Sequence, residues 1–229
     1  MEIIAEIGQN HNGSMTLAKE LIIAAKENGA DVAKFQIFNA KKLFKEKGNK
    51  WYKNNLEAEL NIDQIFELNE FCNKNKIEFM ASVFQKEYIK VTEKIKMKRY
   101  KIASRSIHDN SLLKKIIETK KPLIVSLGMW KKKFFPLKNI PNIKYLFCIS
   151  EYPAPKSKIN FTKNFFEKYD GFSDHTLGIE KAKESIKLGA KILEKHFTLD
   201  KNLSGPDHIL SVSPKELNEL HKYRLKNAK

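Results

Sequence analysis

The chain has 229 residues, of which 41% are hydrophobic, so it is long enough to bury one core, and we expect a single domain over residues 1–229. It has no apolar run long enough to cross a bilayer, which excludes a membrane-spanning helix. Its first residues lack the basic and then apolar layout of a signal peptide. Cys72 and Cys148 each lie in an apolar stretch, which predicts reduced core residues and a cytoplasmic protein.

The formal net charge is +16, and almost all of the excess comes from lysine. The arginines are only Arg99, Arg105 and Arg224, and the lysines are scattered along the chain. Because base recognition and bidentate phosphate contacts favour arginine, this pattern argues against nucleic-acid binding. A diffuse positive field can still draw in a phosphorylated substrate.

Short apolar runs alternate with amphipathic stretches along the whole chain. In chain order, they predict strand Glu2–Ile7, helix Met15–Asn28, strand Asp31–Gln36, helix Ile62–Lys74, strand Glu78–Phe84, helix Lys86–Ile95, strand Tyr100–Ala103, helix Ser111–Thr119, strand Pro122–Leu127, strand Ile143–Cys148, helix Phe161–Lys168, strand Gly171–Ser173, helix Gly178–Leu188, strand Lys191–Phe197 and helix Pro214–Leu225. Between the fifth and sixth strands, residues 130–139 are basic and interrupted by Pro136, so only a short helix or a loop is expected there.

This alternation predicts an α/β protein with a (β/α)8 TIM barrel, since eight strand-then-helix units in one domain are the number that closes a parallel barrel. The competing architecture is a doubly wound open sheet, which usually has fewer strands at this chain length.

Polar residues recur where the predicted strands end, which is where TIM barrels carry their chemistry. Because burying an unpaired charge is costly, a purely structural barrel would not need them there. They predict a site for a polar, anionic ligand. These strand-end residues are Glu6, Lys34, Gln36, Ser82, Lys101, Ser104, Ser126, Tyr152, Ser173, His175, Glu194 and His196.

Two histidines, His175 and His196, end consecutive strands, so their imidazoles can point into one site. Two histidines together with oxygen ligands suit Mn²⁺ or a similar octahedral ion; alternatively, each ring bonds to a loop. Glu194 lies two residues before His196 and faces the same side of the strand. It can orient a metal ligand or pair with a barrel lysine.

Lys34 and Lys101 differ from the other lysines because each lies inside an apolar strand. Together with the strand-end serines they can hold a phosphate and a carboxylate, the two groups of phosphoenolpyruvate. Glu6 ends the first strand and suits a general base or a hydroxyl acceptor, or else a structural bond to the loop at residues 8–13.

Three separated segments resemble the catalytic barrel of the sialic acid synthase family, in register from about residue 2 to residue 217. They are residues 5–13 (AEIGQNHNG), residues 172–178 (FSDHTLG), and residues 192–200 (ILEKHFTLD) followed by 205–208 (GPDH). The resemblance implies a transferase that condenses phosphoenolpyruvate with an N-acylated amino-sugar aldehyde, such as N-acetylmannosamine, to give a 3-deoxy-2-keto sugar acid and phosphate. It also implies a divalent metal, Mn²⁺ first and Mg²⁺ or Co²⁺ as alternatives, and a possible homodimer.

The resemblance also assigns roles to residues. It implies catalytic roles for Glu6, Lys34, Lys101 and Glu194 and metal binding by His175 and His196. Substrate binding is implied for Gln36, Ser82, Ser104, Arg105, Ser126, Ser150, Tyr152, Ser173 and Asp207, the last of these near the sugar hydroxyls.

The chain departs from the family pattern in three places. Ser106 stands where the family usually has an acidic residue, and Phe147 replaces a histidine. The family also carries a C-terminal antifreeze-like domain, whose arginine reaches the sugar of the partner subunit. Without such a domain in this sequence, we expect weak sugar binding. Arg105 is the residue that we consider as a replacement for the arginine of that domain. The departures leave two alternatives open: a synthase or aldolase for a smaller aldehyde, and a non-catalytic barrel that binds phosphoenolpyruvate and metal.

Overall fold

The computed structural model describes residues 1–227, and their eight parallel strands close into one barrel in the order β1 to β8, with β8 pairing back to β1. The TIM barrel predicted from the alternation is therefore confirmed. The strands are β1 (Glu2–Gly8), β2 (Val32–Ile37), β3 (Glu78–Val83), β4 (Tyr100–Ile102), β5 (Leu123–Ser126), β6 (Ile143–Cys148), β7 (Gly171–Asp174) and β8 (Ile192–His196).

Nine α-helices lie within the described residues. They are α1 (Met15–Glu27), α2 (Ala40–Leu43), α3 (Tyr52–Glu57), α4 (Ile62–Lys74), α5 (Ile89–Lys94), α6 (Asn110–Glu118), α7 (Phe165–Lys168), α8 (Glu180–Lys187) and α9 (Pro214–Lys226). Capping boxes start two of them: Asn61 with Gln64 before α4, and Ser213 with Glu216 before α9. Pro214 occupies the first turn of α9, where its missing N–H costs nothing.

The helices differ from the sequence prediction in two places. The predicted helix over residues 161–168 is a single turn, α7, because Phe161 precedes it and packs into an aromatic cluster instead of continuing the helix. The long connection after β2 carries two short helices, α2 and α3, which the periodicity did not predict. Within the described chain, residues 127–142 contain no helix, in line with the expectation of a short helix or a loop around Pro136.

The strands divide the barrel interior into two levels. Inward side chains near the strand starts form an apolar plug, and the inward residue two positions further along is polar or charged in five of these six strands. The plug consists of Ile4, Val32, Met80, Ile124, Leu146 and Ile192. A larger apolar cluster fills the space between the strands and the helices. The plug closes the barrel from below, so any ligand site lies above it.

Ion pairs stabilise the N-terminal face of the barrel, which lies opposite the C-terminal ends of the strands. Arg99 donates to the carboxylates of Glu2 and Glu78 and so joins β1, β3 and the start of β4. Arg224 of α9 pairs with Asp31. Both cysteines are buried thiols outside any disulfide. None of the helices within residues 1–227 combines the length and apolar composition that a bilayer crossing requires.

Candidate active site

A cavity of about 730 Å³ opens above the apolar plug, at the C-terminal ends of the strands. The structure brings all fifteen residues singled out from the sequence into the lining of this one cavity. These are Glu6, Lys34, Gln36, Ser82, Lys101, Ser104, Arg105, Ser126, Ser150, Tyr152, Ser173, His175, Glu194, His196 and Asp207. Their common location follows from the parallel strands, whose C-terminal ends meet at one rim.

Four buried charges alternate across the floor of the cavity. The Nζ atom of Lys34 lies 2.5 Å from Glu6 Oε2 and 3.4 Å from Glu194 Oε2. Glu194 also pairs with Lys101, whose Nζ atom lies 3.3 Å from Glu194 Oε1. All four side chains are almost fully buried, so each cation has a carboxylate neighbour where water is scarce.

Neutral donors and acceptors complete this floor. Lys101 donates to Ser126 Oγ at 2.7 Å, and Lys34 donates to Ser82 Oγ at 3.3 Å. Ser173 donates to Glu194 Oε1 at 2.7 Å, and Gln36 donates to Glu6 Oε1 at 2.9 Å. The ammonium groups thus already hold hydroxyl and carboxylate oxygens, the kinds of atom that an anionic ligand presents.

Burial and pairing act on these groups in opposite directions. Burial raises the pKa of Glu6 and outweighs the lowering by Lys34. Burial also raises the pKa of Glu194, but Lys101 and Lys34 together overcome it and lower that pKa to about 2. Burial lowers the pKa of Lys101, whereas the two glutamates raise that of Lys34 despite its burial. Glu6 is consequently the floor carboxylate that takes up a proton more easily.

Another wall of the cavity carries the two histidines, with their ring centroids 5.7 Å apart. His175 Nδ1 lies 2.7 Å from the carbonyl oxygen of Ile149, so Nδ1 carries the proton and Nε2 keeps its lone pair. Burial lowers the pKa of both rings, so both are neutral at pH 7. His196 Nδ1 is buried without a hydrogen-bond partner in the described chain and lies 3.7 Å from Asp207 Oδ2.

Asp207 reaches this wall from the loop after β8. Burial, assisted by the nearby charge of Glu6, raises the pKa of Asp207 to about 7. The ring of Tyr152 lies against that of His175, tilted by 32°, with a centroid distance of 4.2 Å. Across the cavity, Arg105 lies against Phe44 and Phe84 at the rim.

Three side chains meet around one glycine between β5 and β6. A Cβ atom on Gly128 would lie 2.6 Å from Cys148 Sγ and would also collide with Ser150 Oγ. Only glycine lets Ser104 accept from the Gly128 N–H at 3.1 Å while Cys148 and Ser150 stay close. The Ser150 hydroxyl is buried and has no hydrogen-bond partner among the described residues, so it is available to a ligand.

Sequence reasoning missed part of the rim. The connection after β2 contributes Phe44, Asn49, Trp51 and Asn55 to the cavity, and the loop after β1 contributes Gln9. The signal was the unusual distance between the second strand and the next long helix, since βα loops normally have only a few residues. A long βα loop in a barrel typically carries function.

A buried pair, Lys195 with Asp174, was also missed. The Nζ atom of Lys195 lies 3.0 Å from Asp174 Oδ2 and donates to the carbonyl oxygen of Thr176 at 2.8 Å. Asp174 Oδ1 accepts from the Thr176 N–H. These bonds fix the turn that holds His175, so the pair supports one wall of the cavity from behind.

The two substituted positions differ in their relation to the cavity. Ser106 is buried in the loop after β4 and does not line the cavity, although its neighbours Ser104 and Arg105 do. Phe147 faces outward from β6, because the adjacent Leu146 and Cys148 face inward. Phe147 therefore points away from the cavity, and its location gives no support to the alternative of a non-catalytic barrel.

Comparison with known proteins identifies the family. Residues 21–228 match the NeuB family model. The chain belongs to the NeuB family. It is 38% identical to N,N'-diacetyllegionaminic acid synthase of Campylobacter jejuni, covering 95% of this chain and 73% of that one. It is 35% identical to human N-acetylneuraminate-9-phosphate synthase, covering 95% of this chain and 67% of that one.

Solved structures agree with this membership in the NeuB family. The N-acetylneuraminic acid synthetase of Leptospira borgpetersenii, solved with citrate, superposes with a TM-score of 0.88 at 32% identity, over 98% of this chain and 82% of that one. Since the named relatives are synthases of this kind, the chain is an enzyme, a transferase of the sialic acid synthase type.

The location of Phe147 yields a prediction about stability. Its ring packs edge-on against Phe165 at 5.0 Å and also contacts Tyr169 and Phe172. Phe147→Ala should lower the free energy of unfolding by about 3 kcal/mol, because it opens a cavity among aromatic rings. Urea unfolding followed by circular dichroism measures the change. An unchanged midpoint would show that this aromatic cluster contributes nothing.

Proposed function

We propose that this NeuB family member condenses phosphoenolpyruvate with an N-acylated amino-sugar aldehyde resembling N-acetylmannosamine, in the presence of a divalent metal ion. The observation that carries the proposal is the shared cavity, in which two buried lysines bonded to serine hydroxyls lie beside two neutral imidazoles. The products are a 3-deoxy-2-keto sugar acid and phosphate.

The floor suits phosphoenolpyruvate. Lys34 and Lys101 supply positive charge at two points, and Ser82, Ser104, Ser126, Ser150 and Ser173 surround them with hydroxyl groups. A phosphate and a carboxylate both accept several charge-assisted hydrogen bonds, so one ligand carrying both can span this floor. Among these serines, Ser150 has a buried hydroxyl without a hydrogen-bond partner in the described chain, which supports a ligand at this level.

The histidine wall suits a divalent metal ion. His175 and His196 are neutral, and the bond from His175 to Ile149 orients the ring as the outer bonds of metal-bound histidines do. Within residues 1–227 no group of three or more His, Cys, Asp or Glu side chains is arranged to hold a metal. The two imidazoles would hold the ion and leave its other positions to water and substrate. When bound, such an ion supplies Lewis acidity toward a carbonyl oxygen, and Mn²⁺ suits this mixture of nitrogen and oxygen ligands.

In the proposed reaction, C3 of phosphoenolpyruvate forms a bond to the aldehyde carbon, and the aldehyde oxygen takes up a proton. Water adds at C2 and loses one proton, so that C2 carries a hydroxyl group beside the phosphate. The C–O bond to phosphate then breaks, and the hydroxyl proton leaves with the phosphate to give the ketone. Lys34 and Lys101 stabilise the anionic groups throughout. Glu6, whose pKa is raised by burial, takes the proton from the water, while Glu194 keeps both lysines charged and in position.

The acceptor half of the site lies above this floor. Asp207, Gln36 and Tyr152 offer oxygen and nitrogen atoms for the hydroxyl and N-acyl groups of a sugar. A cavity of about 730 Å³ has room for phosphoenolpyruvate together with a six-carbon acceptor, which favours an amino sugar over a smaller aldehyde. The names of the Campylobacter jejuni and human relatives, synthases of diacetyllegionaminic acid and of N-acetylneuraminate 9-phosphate, support an acceptor of this class.

Product analysis tests the proposal directly. The protein, incubated with phosphoenolpyruvate, Mn²⁺ and a panel of N-acetylated hexosamines and short aldehydes, should yield a new acid with three more carbons than the acceptor. Mass spectrometry detects it, and release of phosphate in equal amount checks the balance. Turnover confined to short aldehydes would replace the amino sugar with a smaller acceptor, and no turnover would contradict the proposed reaction.

Lys101 provides a prediction about phosphoenolpyruvate. Lys101→Met should weaken binding roughly ten- to hundred-fold, because a charged hydrogen bond is worth about 1.5–3 kcal/mol. Calorimetry in the absence of acceptor measures it, and added salt should weaken binding of the unmodified protein further. Lys74→Met, on an exposed side chain at the far end of α4, is the control and should leave affinity unchanged. If both variants bound phosphoenolpyruvate with equal affinity, Lys101 would not be part of the binding site.

The histidine wall provides a prediction about metal. Chelation should abolish activity, and Mn²⁺, Mg²⁺ or Co²⁺ should restore it. His196→Ala should lower Mn²⁺ affinity at least about tenfold, because even the loss of a hydrogen-bond partner of a metal ligand typically costs that much. Calorimetry on the apo-protein measures the change. His108→Ala removes an exposed ring outside the cavity and should leave affinity unaltered. Full activity in the presence of the chelator would contradict the proposed metal dependence.

A further inference from the structure

Lys195 and Asp174 form a buried ion pair outside the cavity. The Nζ atom of Lys195 lies 3.0 Å from Asp174 Oδ2, and both side chains are almost completely shielded from solvent. Neither residue is among those that line the cavity. Because the cost of burying two charges offsets their attraction, such a pair adds little stability over a well-packed apolar pair of the same size. Stability alone therefore gives no reason for a charged pair at this place.

Each partner of the pair is the immediate neighbour in sequence of one cavity histidine. Asp174 ends β7 just before His175, and Lys195 precedes His196, the last residue of β8. Asp174 and Lys195 are also opposite each other in the parallel register of these two strands. Since successive side chains point to opposite faces of a strand, the pair lies behind the wall while both histidines line the cavity. A displacement of either partner therefore moves the adjacent histidine.

His175 is the histidine that the strand ladder does not hold. β7 ends at Asp174, so His175 and Thr176 lie in the turn that follows it. The ion pair holds Thr176 at both of its peptide groups. The Thr176 N–H donates to Asp174 Oδ1 at 2.8 Å, and the Thr176 carbonyl oxygen accepts from Lys195 Nζ at 2.8 Å. The first bond fixes the peptide plane that His175 shares with Thr176, and the second ties the turn to β8.

Two other bonds reach His175, and both come from the connection after β6. Its carbonyl oxygen accepts from the Ala154 N–H at 2.8 Å, and its Nδ1 atom lies 2.7 Å from the carbonyl oxygen of Ile149. These bonds set the rotation of the ring relative to the β6 side of the wall. Among the bonds described, those of Lys195 are the ones that connect this turn to the strand of His196.

From this arrangement we propose that Lys195 and Asp174 are positioning residues, which set the distance between the imidazoles of His175 and His196 and thereby the affinity for the divalent metal ion. The inference rests on the proposed function, in which both rings bind the ion. The two ring centroids lie 5.7 Å apart. A metal site works only while its ligands stay within about 0.5 Å of the productive geometry, so a small loosening of the turn is enough to weaken it.

The test removes both charges at once. A single variant leaves one charge buried without its partner and destabilises the fold, whereas Asp174→Asn combined with Lys195→Met keeps the size of both side chains and leaves no buried charge unpaired. This double variant should raise the Kd for Mn²⁺ about ten- to hundred-fold, measured by calorimetry on the apo-protein. Phosphoenolpyruvate binding without metal should stay unchanged, because the floor lysines stand on β2 and β4.

Glu78→Gln is the matched control. It weakens the ion pair with Arg99 on the N-terminal face of the barrel, away from both histidines. It should lower the stability in urea and leave the Kd for Mn²⁺ unaltered. A Kd raised equally by Glu78→Gln and by the double variant would reveal a general effect of stability and overturn the inference. An unchanged Kd in the double variant would overturn it as well.

A measurement without metal separates this inference from the proposed function. In the apo-protein with isotope-labelled histidine, nuclear Overhauser contacts between the ring protons of His175 and His196 report the distance between the rings. These contacts should weaken in the double variant and persist in Glu78→Gln. If they weaken although the unmodified protein binds no Mn²⁺, the positioning role stands and the proposed metal dependence fails. Contacts of equal strength in all three proteins would overturn the positioning role, even if Mn²⁺ binds and condensation proceeds.

Discussion

The carboxylate of Glu194, held between two buried ammonium groups, is the interaction on which the interior of this barrel depends. Lys34 and Lys101 are almost completely removed from water, and each lies within 3.4 Å of a Glu194 oxygen. Loss of that single charge would leave buried cations undercompensated, a change that typically costs 3–5 kcal/mol. Because the network is complete before any ligand arrives, its dipoles and charges need little rearrangement when one binds.

The site divides into a rigid half and an adjustable half. Lysines, glutamates and histidines stand on strands or directly at their ends, where the pleat fixes their direction. The rim, in contrast, consists of connections: Phe44, Trp51 and Arg105 all follow strand ends. Sites on strands are held more firmly than sites on loops, so the bond-forming chemistry lies where the fold is stiffest. Selectivity among acceptors lies where the sequence can change without disturbing the barrel.

Most of the barrel and the composition of the floor could be predicted from the sequence, because both follow from a period of two. Ile4 and Glu6, or Ile192 and Glu194, lie on one side of a strand, and parallel strands bring such pairs to one level. The same alternation predicts that Phe147 faces outward from β6. Comparison with the family pattern alone did not show this. The rim helices and the partnership of Lys195 with Asp174 were not predictable, since they depend on tertiary contacts between segments far apart in the chain.

The apolar plug beneath the floor has a consequence for the order of events. Ile4, Val32, Met80, Ile124, Leu146 and Ile192 fill the barrel below the charged network. The floor can therefore be reached only past the rim, through the same opening that admits the second molecule. A molecule resting between Arg105 and the histidine wall would cover that passage. Under the proposed function, the three-carbon donor must enter before its acceptor, and the kinetics of the two substrates become sequential with a fixed order.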